Sequence, residues 1–102
     1  GRLTINTAGK YLIIANVQWQ QVAGGSREVK IILNGTTLIG SVADIFTAVA
    51  SFDEPTYVVS TIWELAATNY VEVEVFQNQG GNVSVKSTTS YSPEFMAMWL
   101  GL

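Results

Sequence analysis

The pattern of apolar and polar positions is most informative in the closing stretch, residues 91–102. No charged residue follows Glu94, and a strand through this stretch is apolar at both alternating sets of positions, which point to opposite faces. One set is Phe95, Ala97 and Trp99, and the other is Met96, Met98 and Leu100. A strand on the surface of a monomer shows one polar face, so we predict that this strand is covered on both sides.

Earlier stretches have the alternation and the β-branched and aromatic content typical of strands. In residues 11–19 one face is apolar throughout, whereas the other is apolar at its start, at Leu12 and Ile14, and then polar. Asn34 and Gly35 predict a hairpin with a type I′ turn, because both residues tolerate positive φ. The remaining strand candidates are residues 3–6, 27–33, 36–42, 56–63, 70–77 and 83–88.

Together these segments make about eight short strands, at the spacing expected of an all-β sandwich. Residues 43–55 have the least regular pattern and are predicted to form a long loop or crossover. A short helix over residues 43–50 is an alternative, although that segment lacks capping signals. No helical periodicity competes elsewhere in the chain.

Composition narrows the classes of function. The chain has 102 residues, enough for one domain, and 48% of them are hydrophobic but only 13% charged. That charged share is about half the usual one and favours a large buried interface between copies. The net charge is −3 and the five basic residues are scattered, which argues against nucleic-acid binding. No apolar run approaches the ~20 residues of a spanning helix, so we expect no membrane insertion.

Four segments carry a resemblance that covers most of the chain. They are GKYLIIANVQW at residues 9–19, IILNG at 31–35, LAATNYVEV at 65–73 and FMAMWL at 95–100. In the same order, they resemble a Gly-x-Tyr-x-Ile strand, the hairpin after it, a Leu-x-x-Gly-Asp-x-Val-x-Leu turn and strand, and a closing Phe-x-Gly-Phe-Leu-Leu strand. These are motifs of the tumour necrosis factor and complement subcomponent q jelly rolls. The sequences at residues 2–5 and 92–95 are more similar to the bacteriophage and bacterial versions of these domains than to the animal ones.

The sequence also departs from the family pattern. Thr68 and Asn69 stand where the family often has Gly-Asp, so no role of that acid is carried over, and Ala97 replaces a Gly. A strand that usually precedes the Arg2 region is missing, as is a collagen-like stalk. We therefore interpret residues 1–102 as a single TNF-like domain, the C-terminal head of a longer protein with its first strand lacking.

The resemblance implies an antiparallel jelly-roll β-sandwich that assembles as a homotrimer, with one face of its inner sheet toward the threefold axis. Carried over position by position, the trimer interface is Leu12, Ile14, Asn16, Val58, Ser60, Ile62, Phe95, Ala97 and Trp99. The core of the sandwich is Tyr11, Ile13, Ala15, Val17, Val59, Trp63, Met96 and Met98. The alternative is a monomer whose loops cover the second face.

Little in the sequence points to catalysis. His and Cys are absent, which excludes the usual serine and cysteine triads and imidazole metal sites. Glu72 and Glu74 are about 7 Å apart at strand spacing, as in two-carboxylate glycosidases, but acids at alternate positions also mark the solvent face of a strand. Asp44, Asp53 and Glu54 could bind calcium, yet the spacing of a calcium loop is missing. We therefore expect no enzyme, no cofactor and no metal site.

Two functions remain open. The first is a non-enzymatic head that trimerises and stabilises a phage virion or fibre protein or a surface stalk, in the virion or at the cell surface. The second is a receptor- or glycan-binding tip of a phage tail fibre or a bacterial collagen-like protein, with a host cell-surface glycan or protein as partner. Its candidate loops are residues 20–26, 43–55 and 78–82, and its candidate ligand contacts are Tyr70, Phe76 and Tyr91. Because these loops carry few aromatic residues, the first function ranks above the second.

Overall fold

The computed structural model of the chain describes residues 2–19, 24–45, 56–78, 80–81, 85 and 93–102. The strands in these ranges are β1 (Arg2–Thr4), β2 (Gly9–Gln18), β3 (Ser26–Leu33), β4 (Thr37–Ile45), β5 (Thr56–Leu65), β6 (Tyr70–Gln77) and β7 (Glu94–Gly101). Within the same ranges, no helix is long and apolar enough to cross a membrane.

The strands form two antiparallel sheets. One sheet has the order β1-β6-β3-β4 and the other has the order β5-β2-β7. Their facing sides meet in one core, where Ile13 and Ala15 of β2 and Val29 and Ile31 of β3 are fully buried. Burial of each large aliphatic side chain contributes roughly 1.5–3 kcal/mol to stability. The prediction of an all-β sandwich is confirmed.

The turn between β3 and β4 has the predicted form. Asn34 and Gly35 have φ angles of 52° and 77°, and the amide of Thr36 donates to the carbonyl oxygen of Leu33 at 3.1 Å. Asn34 also contacts β6. Its amide donates to the carbonyl oxygen of Tyr70 at 2.8 Å, and its side-chain oxygen accepts from the amide of Tyr70 at 2.9 Å. The same residue therefore fixes the hairpin and the start of a second strand.

β4 is longer than predicted. It continues through residues 43–45, where it pairs with Ser26, Arg27 and Glu28 of β3. The predicted loop or helix is therefore wrong at these three positions, because cross-strand pairing outweighs the weak local pattern. Residues 46–55 lie outside the described residues.

The predicted strand over residues 83–88 lies mostly outside the described residues. Its one described position, Val85, forms an isolated antiparallel bridge with Trp19.

One end of the core contains a buried arginine. Arg27 shares the inward-facing positions of β3 with Val29 and Ile31, and its residue exposure is 0%. Its Nη1 donates to the carbonyl oxygen of Gly24 at 2.8 Å, and its guanidinium carbon lies 5.8 Å from the centre of the Trp19 ring. This charge is solvated by protein groups, as burial requires.

Candidate subunit interface

The pairing of β2 with β5 and β7 brings three rows of side chains together on the outer side of the three-stranded sheet. In each row a β2 residue lies between one residue of each neighbour, and directly opposed side chains have Cβ atoms about 4.5–5.5 Å apart. The rows are Ile62–Leu12–Met98, Ser60–Ile14–Met96 and Val58–Asn16–Glu94.

The apolar members of these rows form a surface that Ser60 interrupts on β5. We call it the apolar face and define it as Leu12, Ile14, Val58, Ile62, Met96 and Met98. Val58 and Ile62 are 57% and 61% exposed, both methionines are about half exposed, and the two β2 residues are half-buried. Soluble monomers rarely expose a contiguous apolar patch of this kind, and such patches mark interaction sites.

Polar residues border the apolar face at both ends of the strands. At one end Lys10 lies opposite Glu64, so a basic and an acidic side chain face each other across the strand pair. At the other end Asn16 lies opposite Glu94. An apolar centre with a polar rim is the usual anatomy of a protein–protein interface.

The structure places six of the sequence-predicted interface residues on this outer side. They are Leu12, Ile14, Asn16, Val58, Ser60 and Ile62. The opposite side of the same strands carries core residues as predicted, among them Tyr11, Ile13, Ala15, Val17 and Val59. β2 is therefore apolar on both faces over residues 11–14.

The predicted faces of β7 are wrong. Phe95 and Ala97 lie opposite Ala15 and Ile13 and pack against the core, so they do not belong to the outer side. Met96 and Met98, predicted in the core, lie opposite Ile14 and Leu12 on the apolar face. Both faces of this strand are apolar, so hydrophobicity alone leaves its orientation open, and a shift of one residue exchanges the two sets.

A signal for the correct orientation of β7 exists in the sequence. Glu94 has the same parity as Met96 and Met98, and a charged side chain is rarely buried without a partner. The position of Glu94 therefore favours the outer side for both methionines.

Trp99 also differs from its prediction as an axis-facing residue. It lies opposite Tyr11, on the core-facing side, and its Nε1 donates to the carbonyl oxygen of Ala8 at 3.2 Å. Its ring covers Gly9, which has a φ of 150° and no room for a side chain. Trp99 is nevertheless 50% exposed because it lies at the end of the sheet.

Trp63 was predicted to lie in the core. It shares the core-facing side of β5 with Val59 and Leu65, since it lies opposite Tyr11 of β2. It is 39% exposed, in contrast to the buried Leu65. The face of Trp63 is as predicted, but its burial is not.

The candidate ligand contacts do not form one site. Tyr70 and Phe76 lie on the same face of β6 but six positions apart, which corresponds to roughly 20 Å along a strand. The guanidinium carbon of Arg2 lies 4.0 Å from the centre of the Tyr70 ring, so that ring already has a partner. Phe76 is exposed, and Tyr91 lies outside the described residues.

The acidic candidates are spread over the other sheet. Glu72 and Glu74 lie on the outer side of β6, and Glu72 forms an ion pair of 3.8 Å with Arg2. Asp44 lies on β4 opposite Arg27, whereas Asp53 and Glu54 are outside the described residues. The described part of the chain contains no group of three or more potential metal-ligating side chains. The apolar face is therefore the best-defined candidate site, and its chemistry is burial against another apolar surface.

Comparison with protein-family models and with curated proteins found no match to this chain.

Proposed function

We propose that this domain is a non-enzymatic homotrimeric head that joins and stabilises three chains of a phage virion or fibre protein or of a surface stalk. The observation that carries the proposal is the apolar face, which two further copies of the chain would cover. The number three comes from the resemblance to the tumour necrosis factor and complement subcomponent q domains. The domain would accordingly be located in a virion or at a cell surface.

Two further observations support association through this sheet. Charged residues are 13% of the chain, and those next to the apolar face stand at its ends rather than within it. Residues 11–14 of β2 are apolar toward the core and toward the outside, a pattern typical of a strand buried on both faces. A recognition tip has less support, because Tyr70 and Phe76 are too far apart to contact one small ligand.

The first experiment measures the mass of the native particle by light scattering behind a sizing column. We expect the wild type to have three times the mass of one chain. The variant Ile62→Asp should be monomeric, because association would bury three carboxylates in a dry interface. Ile62 is 61% exposed in the single subunit, so its replacement should leave the fold intact.

Leu38→Asp provides the matched control. Leu38 is 52% exposed and lies on β4, in the other sheet. Leu38→Asp also replaces an exposed aliphatic side chain, but it should leave the trimer unchanged because Leu38 lies outside the apolar face. A monomeric wild type, or an Ile62→Asp variant that remains trimeric, would contradict the proposal.

A further inference from the structure

The sulfur atoms of the chain all lie at one place. The sequence contains two methionines and no cysteine. Met96 and Met98 are alternate residues of β7, so both side chains lie on the apolar face. They are 47% and 48% exposed in the single subunit.

The directly opposed cross-strand partners of these methionines are apolar. Met96 lies opposite Ile14, and Met98 lies opposite Leu12. Beyond Leu12, the same row ends at Ile62. Association through the apolar face would therefore bury both thioethers, whereas the free subunit leaves them accessible to small oxidants.

Oxidation changes the chemistry of such a surface. When a thioether reacts with hydrogen peroxide, one oxygen atom is transferred: the O–O bond breaks, an S–O bond forms, and the peroxide is reduced to water. The product, methionine sulfoxide, is polar and disrupts methionine-containing interfaces. The new oxygen accepts hydrogen bonds, and the cross-strand neighbours Leu12 and Ile14 have no side-chain donor to offer it.

We propose that Met96 and Met98 form a peroxide-sensitive modification site that controls association of the chain. Oxidation of the free subunit blocks association through the apolar face, and association in turn protects both sulfurs from oxidation. This inference rests on the proposed trimer. Each sulfoxide buried without a hydrogen-bond donor should weaken association roughly tenfold or more.

The test exposes three proteins to hydrogen peroxide: the wild type, Ile62→Asp, and the double variant Met96→Leu/Met98→Leu. Mass spectrometry of the β7 peptide follows oxygen uptake at each methionine, and light scattering follows the particle mass. We expect slow oxidation in the assembled wild type and fast oxidation in Ile62→Asp. After dilution and oxidation, the wild type should no longer reassemble, and treatment with methionine sulfoxide reductases should restore the trimer.

The double variant controls for oxidation at other residues. The association constant of the double variant is measured before and after peroxide treatment. The ratio of these two constants should be one, whatever the constant of the untreated variant. Equal oxidation rates in the wild type and Ile62→Asp, or reassembly of the fully oxidised wild type, would overturn the inference and leave the trimer standing. A wild type that is monomeric before peroxide would overturn the trimer and this inference together.

Discussion

At the scale of single residues, one end of the core brings together the buried Arg27, the buried Tyr57 and the exposed Asp44. Arg27 of β3 lies opposite Asp44 of β4, and both act electrostatically on Tyr57 of β5. Burial raises the pKa of Tyr57 above its ordinary value of 10.0, the carboxylate of Asp44 raises it further, and the guanidinium of Arg27 lowers it. The protonated ring is thus the form that the folded core favours.

This raised pKa predicts a loss of stability in alkali. Below the unfolded-state pKa of about 10, Tyr57 is protonated in both states and the free energy of unfolding does not depend on it. As the pH rises beyond that value, the unfolded chain releases the proton more readily, so folding is progressively disfavoured. Urea unfolding measures the free energy of unfolding of the wild type and of Tyr57→Phe. The difference between these two free energies should be constant at neutral pH and should change above pH ~10 in favour of the variant. Parallel pH profiles would contradict this assignment.

At the scale of elements, the start of β2 and the end of β7 fit together through a glycine and a tryptophan. The ring of Trp99 and the carbonyl oxygen of Gly101 occupy the space that a Cβ at position 9 would need. The Trp99 indole also donates to the carbonyl oxygen of Ala8, so the contact is directional as well as close. This junction lies next to the irregularity at Lys10 and Tyr11, where the regular pairing of β2 with β7 ends.

Gly9→Ala should therefore destabilise the domain by about 1–3 kcal/mol, because the added methyl group collides with the Trp99 ring and φ is strained. Chemical denaturation measures the change. Gly80→Ala is the matched control, since Gly80 also has a positive φ, 100°, but no atom of the described residues lies within 4 Å of its Cβ position. The control separates backbone strain from collision. Equal losses in the two variants would show that Trp99 does not constrain position 9.

The sequence predicts an element well where its two faces differ. β3 alternates Val29 and Ile31 with Glu28 and Lys30, and the structure buries the aliphatic pair. β7 lacks such a contrast after Glu94, so its orientation depends on pairing with β2, a long-range contact that local periodicity does not contain. The large distance between Tyr70 and Phe76 of β6 is predictable from the sequence, because the two residues are six strand positions apart. The contact between Gly9 and Trp99 is not predictable in this way, since it joins opposite ends of the chain.

At the scale of the whole molecule, the two outer sides of the sandwich differ in the charge that they carry. The outer side of β6 carries Glu72 and Glu74, whereas the outer side of the three-stranded sheet carries the apolar face. Folding of the single chain leaves this second surface exposed. The stability of the proposed assembly should therefore exceed that of the subunit.

This coupling predicts a melting temperature that depends on protein concentration. A partner that binds the native chain stabilises it by mass action, so the wild-type Tm should rise as the chain concentration increases. The Tm of Ile62→Asp should stay constant over the same range, and Leu38→Asp should behave like the wild type. A concentration-independent wild-type Tm would contradict stabilisation by association.

The three tryptophans give the molecule a built-in optical distinction between dissociation and unfolding. Trp19 is buried in the core, and Trp63 and Trp99 lie on the core-facing side at the end of their sheet. No indole belongs to the apolar face, and separation of subunits through that face leaves Trp19 buried in the core. Unfolding, in contrast, transfers Trp19 from a dry interior to water. The fluorescence of Trp19 thus reports the fold of the subunit rather than the number of subunits that are joined.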